Sequence, residues 1–310
     1  LKYGSFLYFG FGCPPNPTAA LPIIANASMN KNPEAMLIHG IIYQKGEVVD
    51  QDLEKAADLF KQSSNYSNVE ATFFYAVALL NGSGVQQNYE QAADYFKKAA
   101  DFNNVPSMYI YASLKENGIG VQPNYEEAAC YYLKAANKDH AESMLKYALF
   151  CYEGLGVQKN VNEASKWFIK ADNLGNKIAK NYHLFLIIKD EISGDKNNAV
   201  TELTNLKRNG DLNASFLLGC CYENGYFYDK NLEEAKNIFR KLAIEGDDDS
   251  ICKMIEFDQK SIINENADFY KEKKNPLMKM YYAAKCLENG NKIEGLELIR
   301  QLSDENYPNS

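Results

Sequence analysis

Hydrophobic and small residues recur along this chain at the three- and four-residue spacing of an amphipathic α-helix. In residues 69–81 one such stripe holds Ala71, Tyr75 and Leu79. A second stripe follows a glycine-rich bend, in residues 88–100. The pattern therefore predicts two helices, here called helix A and helix B, joined by a short loop.

The predicted helix pair repeats at a fixed interval. Gly82, Gly118 and Gly154 are spaced 36 residues apart, and the valines and alanines that follow them keep the same interval. The glycine-rich bend alone could suggest a phosphate-binding loop, but such loops do not occur in arrays. A period of this length is typical of a solenoid, in which stacked repeats share one continuous core. We therefore expect an all-α solenoid of helix pairs with a 36-residue repeat.

Residues that favour helix ends lie at matching places in the repeats. Glycine supplies a left-handed C-terminal cap at little steric cost, and asparagine is a favoured N-cap, especially with Glu or Gln three residues later. We expect helix A to end at a glycine and helix B to begin at an asparagine. The expected caps are Gly46, Gly82, Gly118, Gly154 and Gly225 for helix A, and Asn88, Asn124, Asn160 and Asn231 for helix B.

One column of helix A holds a small residue in most repeats. A small side chain at this position lets a neighbouring helix approach closely. The predicted column is Gly4, Gly40, Ala76, Ala112, Ala148, Gly219 and Ala284.

The repeat pattern also divides the chain. Residues 1–32 form a partial repeat whose first helix is truncated, so the sequence looks like a fragment that begins inside a repeat. Asp190 replaces the cap glycine in a divergent repeat. We expect a repeat array over residues 1–247, and degenerate C-terminal repeats with a cap over residues 248–310. The repeats after the partial one are expected to begin near residues 33, 69, 105, 141, 177 and 212.

Composition and charge narrow the possible functions. The 310 residues include 33 Lys and Arg against 41 Asp and Glu, which gives a net charge of −8. An acidic chain lacks the basic footprint of a nucleic-acid-binding protein and is a poor match for an anionic membrane surface. No apolar run is long enough to span a bilayer. We therefore expect neither a nucleic-acid partner nor direct membrane insertion of this fragment.

The cysteines do not follow the repeat. An odd, scattered set of seven is typical of reduced thiols, so we expect a cytoplasmic protein. A secreted repeat protein that binds peptidoglycan or an antibiotic would be expected to pair cysteines within each repeat, which disfavours that class. For the adjacent Cys220 and Cys221 we expect core or groove packing, with redox sensing as the alternative.

Candidate catalytic and metal-binding residues are sparse. His39 and His183 fall in the same helical column as Tyr75, which predicts a structural role. No histidine, His140 included, lies at zinc-ligand spacing from a second histidine or a cysteine. The run of aspartates from Asp247 is better explained as a helix N-cap and solvated loop than as a cation site. With no nucleophile–base motif either, we expect no catalytic residue, no metal and no cofactor.

The repeated motif resembles the Sel-one-like repeat (SLR) family, a relative of the tetratricopeptide repeat. The family pattern joins a Gly-x-Gly-Val turn, an Asp or Asn cap, and a helix B with Ala, an aromatic residue and a final Ala-Ala. The resemblance covers most of residues 1–247. In one repeat the pattern is carried by Gly82-Ser83-Gly84-Val85, Asn88, Ala92, Tyr95, Phe96, Ala99 and Ala100.

This resemblance implies a right-handed superhelical solenoid of antiparallel helix pairs that acts as an adaptor or scaffold for other proteins. It does not identify a molecular function by itself, because one fold hosts many functions. A second class stays open, in which the repeats are the non-catalytic targeting arm of a larger enzyme, for example a protein kinase, truncated at Leu1.

In tetratricopeptide-like arrays the A helices line the concave face, where a second stripe beside the core stripe is the candidate partner site. If exposed, this stripe would form a hydrophobic groove for a partner peptide or helix. The alternative is that its residues pack against the next repeat. The candidate partner-binding residues are Leu37, Ile41, Phe73, Val77, Leu80, Tyr109, Ser113, Leu145, Leu149 and Tyr152.

Overall fold

The computed structural model describes residues 2–12, 14–260, 276–288 and 296–300, and every regular element in them is an α-helix. The helices have nearly equal lengths and are separated by short turns. They are α1 (Lys2–Phe9), α2 (Pro17–Met29), α3 (Pro33–Lys45), α4 (Leu53–Asn65), α5 (Val69–Asn81), α6 (Tyr89–Asp101), α7 (Val105–Asn117), α8 (Tyr125–Ala136), α9 (Ala141–Glu153), α10 (Val161–Asn173), α11 (Lys177–Ile188), α12 (Lys196–Arg208), α13 (Leu212–Asn224), α14 (Leu232–Glu245), α15 (Asp248–Lys260) and α16 (Pro276–Glu288).

From α1 to α10, and again from α11 to α16, each helix packs against the next one along the chain. In the N-terminal part, helix A of a repeat contacts helix B of its own repeat and helix B of the preceding one, as α5 does with α6 and α4. The two contacts are marked by rings: Phe73 lies 6.0 Å from Phe96 of α6, and Phe74 is stacked 5.1 Å from Phe60 of α4. The prediction of an all-α solenoid of helix pairs is confirmed.

The chain divides into two compact bodies, Leu1–Asn176 and Lys177–Ser310. The division falls at the start of the divergent repeat, where α11 begins. Helices also begin at residues 33, 69, 105, 141 and 212. The expected division between the array and the degenerate repeats, at residue 247, lies inside the C-terminal body. The glycine pattern also predicts a helix cap at Gly290, which lies outside the described residues.

Small residues in helix A make room for an aromatic ring of helix B. A Cβ on Gly40 would lie 2.6 Å from the Phe60 ring, and a Cβ on Gly219 would lie 2.7 Å from Phe239. The predicted small-residue column therefore marks close contacts between the two helices of a repeat. Its last member is wrong: Ala284 is exposed and its neighbour Ala283 is buried, because the 64 positions between Gly219 and Ala283 are not a multiple of the 36-residue interval, which therefore does not fix the register of α16.

The helix ends use the glycines and asparagines that the sequence analysis singled out. Gly46, Gly82, Gly118, Gly154 and Gly225 end their A helices with φ between 69° and 82°, the left-handed region that glycine adopts without strain. At the start of helix B, the side-chain oxygen of the asparagine accepts a hydrogen bond from the backbone N–H three residues later. The distances are 2.9 Å at Asn88 and Asn124 and 3.0 Å at Asn160 and Asn231.

The A helices have a column of N-caps of which the sequence analysis predicted only Asp247. Their side chains also accept a hydrogen bond from the backbone N–H three residues later. The signal was present in the sequence, because these polar residues follow the 36-residue interval directly before each repeat. The column comprises Asn32, Asn68, Asn104, His140, Asp211 and Asp247.

A residue with positive φ precedes each of these N-caps, and another precedes Asn176 at the start of α11. In four repeats it is not glycine, although this region is sterically unfavourable for other residues. The backbone at this position is therefore strained in the repeats that have a non-glycine residue and unstrained in those that have glycine. It comprises Lys31, Ser67, Asn103 and Asp139, with φ between 59° and 69°, and Gly175, Gly210 and Gly246, with φ between 85° and 96°.

Candidate functional site

One side of helix A carries half-buried apolar residues that pack on the edge of the core. In α5 this side holds Glu70, Phe74, Val77 and Asn81, whose spacing places them on one helical face. Glu70 and Asn81 are exposed, and Phe74 and Val77 are half-buried. We call the equivalent residues of four helices in the N-terminal body the A-helix face. It comprises Glu34, Ile38, Ile41 and Lys45 of α3; Glu70, Phe74, Val77 and Asn81 of α5; Pro106, Ile110, Ser113 and Asn117 of α7; and Glu142, Lys146, Leu149 and Glu153 of α9. Ile38 differs from its counterparts because it is buried in the core.

All ten predicted partner-binding residues are half-buried, neither fully in the core nor open to solvent. They lie in three columns. The middle column lies on the A-helix face itself and comprises Ile41, Val77, Ser113 and Leu149. The other two columns lie beside it and comprise Leu37, Phe73, Tyr109 and Leu145, and Leu80 and Tyr152.

The column that contains Phe73 and Tyr109 takes part in internal packing. Phe73 contacts Phe96 of helix B in its own repeat. Tyr109 lies 5.8 Å from Tyr132 of its own helix B and 5.3 Å from His140, which caps the next A helix. These rings help to join helices and repeats, so the middle column is the better candidate for direct partner contact.

The sequence analysis missed the column on the opposite side of the middle one. It contains Phe74, Ile110 and Lys146, each three residues before a member of the middle column and each half-buried. A helical-wheel count from Val77 would have found them, since residues three apart are neighbours on a helix surface. Phe74 stacks on Phe60 of the preceding helix B and Lys146 is paired with Glu116, so this column also contributes to packing between repeats.

Charge is distributed unevenly over the A-helix face. Glu34, Glu70 and Glu142 occupy the same position in the first turn of three A helices, and all three are exposed. The Lys146 ammonium lies 3.0 Å from a carboxylate oxygen of Glu116, so this charge is paired across two repeats. The face thus has an apolar middle and an acidic edge.

A polar cluster links neighbouring repeats away from the A-helix face. The Glu127 carboxylate accepts hydrogen bonds from the Tyr111 hydroxyl at 2.9 Å and from Lys97 at 3.3 Å, and Lys115 lies 3.0 Å from its second oxygen. Burial alone would raise the pKa of Glu127, but the hydrogen bonds and charges of Lys115, Tyr111 and Lys97 outweigh it and hold the pKa below its ordinary value. These groups satisfy one another, which indicates a structural role.

The candidate redox pair Cys220 and Cys221 and the candidate cation ligand Asp247 also have structural roles. Burial raises the pKa of Cys220 and of Cys221 to about 12, so little reactive thiolate is present near neutral pH. Each cysteine from Cys130 onward is a free thiol. Asp247 accepts a hydrogen bond from the Ser250 backbone N–H at 2.8 Å as a helix cap. Among the residues that the structure describes, no His, Cys, Asp or Glu side chains are grouped to hold a metal ion.

None of the helices in the described ranges is both long enough and apolar enough to cross a bilayer.

Two solved structures are similar to this chain over much of its length. The first is c5321, a protective antigen present in uropathogenic Escherichia coli strains that displays an SLR fold. It is 20% identical, with a TM-score of 0.67, and the similarity covers 97% of this chain and 67% of that one. The second is a Sel1 repeat protein from Oxalobacter formigenes, 25% identical with a TM-score of 0.58, covering 78% of this chain and 98% of that one.

The family comparison agrees with the repeat boundaries. No curated protein matches the chain. The model described as Sel1 repeat matches residues 1–21, 33–65, 69–101, 105–140, 141–176 and 212–247, and the gap in this series is the divergent repeat from Lys177. Because these matches cover more than half of the sequence and carry the helix pairs described above, the chain belongs to the Sel1 repeat family.

Proposed function

We propose that this protein is a scaffold that binds a peptide or helix of a partner protein on the A-helix face, and that it does so in the cytoplasm. Sel1 repeat proteins generally act as protein-interaction scaffolds and are generally non-catalytic. The observation that supports this surface is its middle column, in which Ile41, Val77 and Leu149 are apolar and only half-buried. Apolar side chains that a fold leaves partly accessible in a continuous patch tend to mark interaction sites.

The repeat architecture suits such a surface. Each A helix of the N-terminal body from α3 to α9 carries the middle column at the same position in its sequence. These four A helices therefore provide a series of contact points for one extended or helical segment. The columns beside it hold the repeats together, as the contacts of Phe73 and Tyr109 show. A partner can thus bind without disrupting the core.

A photo-crosslinking experiment tests this proposal. Val77 is replaced by a photo-reactive phenylalanine analogue in the full chain, and crosslinked proteins are identified after irradiation in cells. The matched control places the same group at Asp94, an exposed position on helix B of the same repeat. We expect a partner that crosslinks from Val77 and not from Asp94.

Substitution of the middle column then tests whether the crosslink reports binding. The double variant Val77→Asp, Leu149→Asp should lose the partner while helicity and melting temperature stay close to those of the wild type, because both side chains are only half-buried. Equal crosslinking from Asp94, or a sharp fall in the melting temperature of the double variant, would contradict the proposal. Such a fall would show that the two residues belong to the core, where truncation of either would cost about 1–5 kcal/mol.

A further inference from the structure

We infer that the segment bound by the A-helix face is basic as well as apolar, with Lys or Arg side chains along the edge that meets Glu34, Glu70 and Glu142. This inference rests on the proposed function and specifies the chemistry of the partner. Apolar side chains of the segment would contact the middle column. Its cations would lie over the first turns of the A helices.

The acidic edge is regular and accessible. Glu34, Glu70 and Glu142 occupy one column of three A helices, and each is exposed. Their contacts within the protein are weak: a Glu70 oxygen lies 3.4 Å from the Asn104 side-chain nitrogen, and a Glu142 oxygen lies 3.5 Å from the His140 ring. Carboxylates with such contacts can accept stronger, charge-assisted hydrogen bonds from a partner.

The cations of the same face do not cancel this charge. Lys146 is paired with Glu116, and the Lys45 ammonium lies 3.7 Å from a Glu47 oxygen. The surplus on the A-helix face is therefore negative and lies about two helical turns before the apolar middle column. Complementary potentials of this kind select a partner and steer its approach.

Acidic residues in a first turn also have a purely local explanation, because they favour the positive end of the helix dipole. The B helices provide the comparison, since Glu54, Glu90 and Glu126 occupy their first turns in the same body. These carboxylates are exposed as well but do not belong to the A-helix face. Neutralising them removes the same net charge and the same dipole interaction, which makes them a matched control.

The test uses a displayed library of random 16-residue peptides and the full chain. Peptides that bind the wild type are kept if the Val77→Asp, Leu149→Asp variant loses them. We expect this set to be enriched in Lys and Arg together with apolar residues. The triple variant Glu34→Gln, Glu70→Gln, Glu142→Gln should bind them roughly ten-fold more weakly at low salt, with less loss at high salt. The control variant Glu54→Gln, Glu90→Gln, Glu126→Gln should bind them as the wild type does.

The outcomes separate this inference from the proposed function. If the selected peptides depend on Val77 and Leu149 but are neutral or acidic, or bind the triple variant unchanged, the basic partner is wrong and the binding face stands. Equal weakening by the two triple variants would show an effect of net charge alone and would also overturn the inference. If no peptide depends on Val77 and Leu149, both the inference and the proposed binding face fail.

Discussion

The backbone of Gly84, in the loop after α5, lies against the carbonyl oxygen of Leu53, the first residue of α4 in the preceding repeat. A Cβ on Gly84 would overlap that oxygen, and Gly120 lies against Tyr89 in the same way. The second glycine of the Gly-x-Gly bend is therefore a contact between repeats. The first glycine, such as Gly82, is a helix cap.

This contact predicts that Gly84→Ala destabilises the protein more than the equivalent change at Gly12. Gly12 occupies the same column with a similar φ, 75° against 73°, but nothing lies near its Cβ position. Both substitutions place an alanine on a left-handed backbone, which destabilises the protein by about 1–2 kcal/mol. Overlap with Leu53 should add roughly 1–3 kcal/mol at Gly84. Chemical denaturation measures the difference, and equal losses would show that the contact relaxes without cost.

The positive φ of the residue before each A-helix N-cap predicts that a change of that residue to glycine is stabilising. Ser67 has φ 63° and is exposed, so Ser67→Gly removes an unfavourable conformation worth about 1–2 kcal/mol against an entropic cost of about 0.5–1 kcal/mol. We expect a net gain of roughly 0.5 kcal/mol. The reverse change, Gly210→Ala, should lose about 1 kcal/mol although space is open around it. Thermal melts test both signs, and a gain from Gly210→Ala would refute the explanation.

The Glu127 cluster predicts unequal effects of removing two equivalent hydroxyl groups. Tyr111→Phe deletes the hydrogen bond to the Glu127 carboxylate and should cost roughly 1.5–3 kcal/mol, as for bonds to charged groups. Tyr75 is the control, because it is equally buried and has Gln91 in place of that carboxylate. Tyr75→Phe should therefore cost less. Similar free energies of unfolding for the two variants would show that the cluster contributes little.

His39 predicts a dependence of stability on pH. Burial lowers its pKa below the ordinary value near 6.5, so the unfolded chain takes up a proton at a higher pH than the folded chain does. The stability due to neutral His39 is full above about pH 7 and is lost as the pH falls through the unfolded pKa. His39→Tyr, the residue found at Tyr75 and Tyr111, should remove this loss. Melting temperatures of both proteins between pH 5 and 7.5 should diverge on acidification, and parallel curves would contradict the prediction.

The sequence was most informative where structure is local. Glycine and asparagine caps act within a few residues, so the caps at Gly82 and Asn88 can be predicted from the sequence alone. The N-caps at Asn68 and Asn104 were not predicted, although they are equally local. Neither is followed three residues later by the Glu or Gln that marks most of the helix B caps. The incorrect placement of Ala284 has a different cause: α16 does not lie a whole number of 36-residue intervals after α13, so the repeat did not fix its register.

The candidate site was less predictable because its features depend on neighbouring repeats. Phe73 and Val77 look alike in a helical pattern, yet Phe73 packs on Phe96 whereas Val77 lies on the A-helix face. Only the position of helix B separates the two. The role of Gly84 likewise depends on Leu53, which lies 31 positions earlier in the sequence. No pattern within one repeat shows that contact.

The contact between Gly84 and Leu53 also determines how this array can change in length. Deleting residues 69–104 would join Asn68 to Val105, so that Asn68 caps α7 as Asn104 does now. Gly120 would then face Leu53, which keeps the contact between glycine and carbonyl oxygen, while Ile110 would replace Phe74 opposite Phe60. Whole-repeat deletions and duplications therefore preserve the backbone of each junction, whereas an insertion of one residue would displace the loop glycine from its neighbour. Whole-repeat changes would alter the number of A helices available to a partner while the glycine contact is kept.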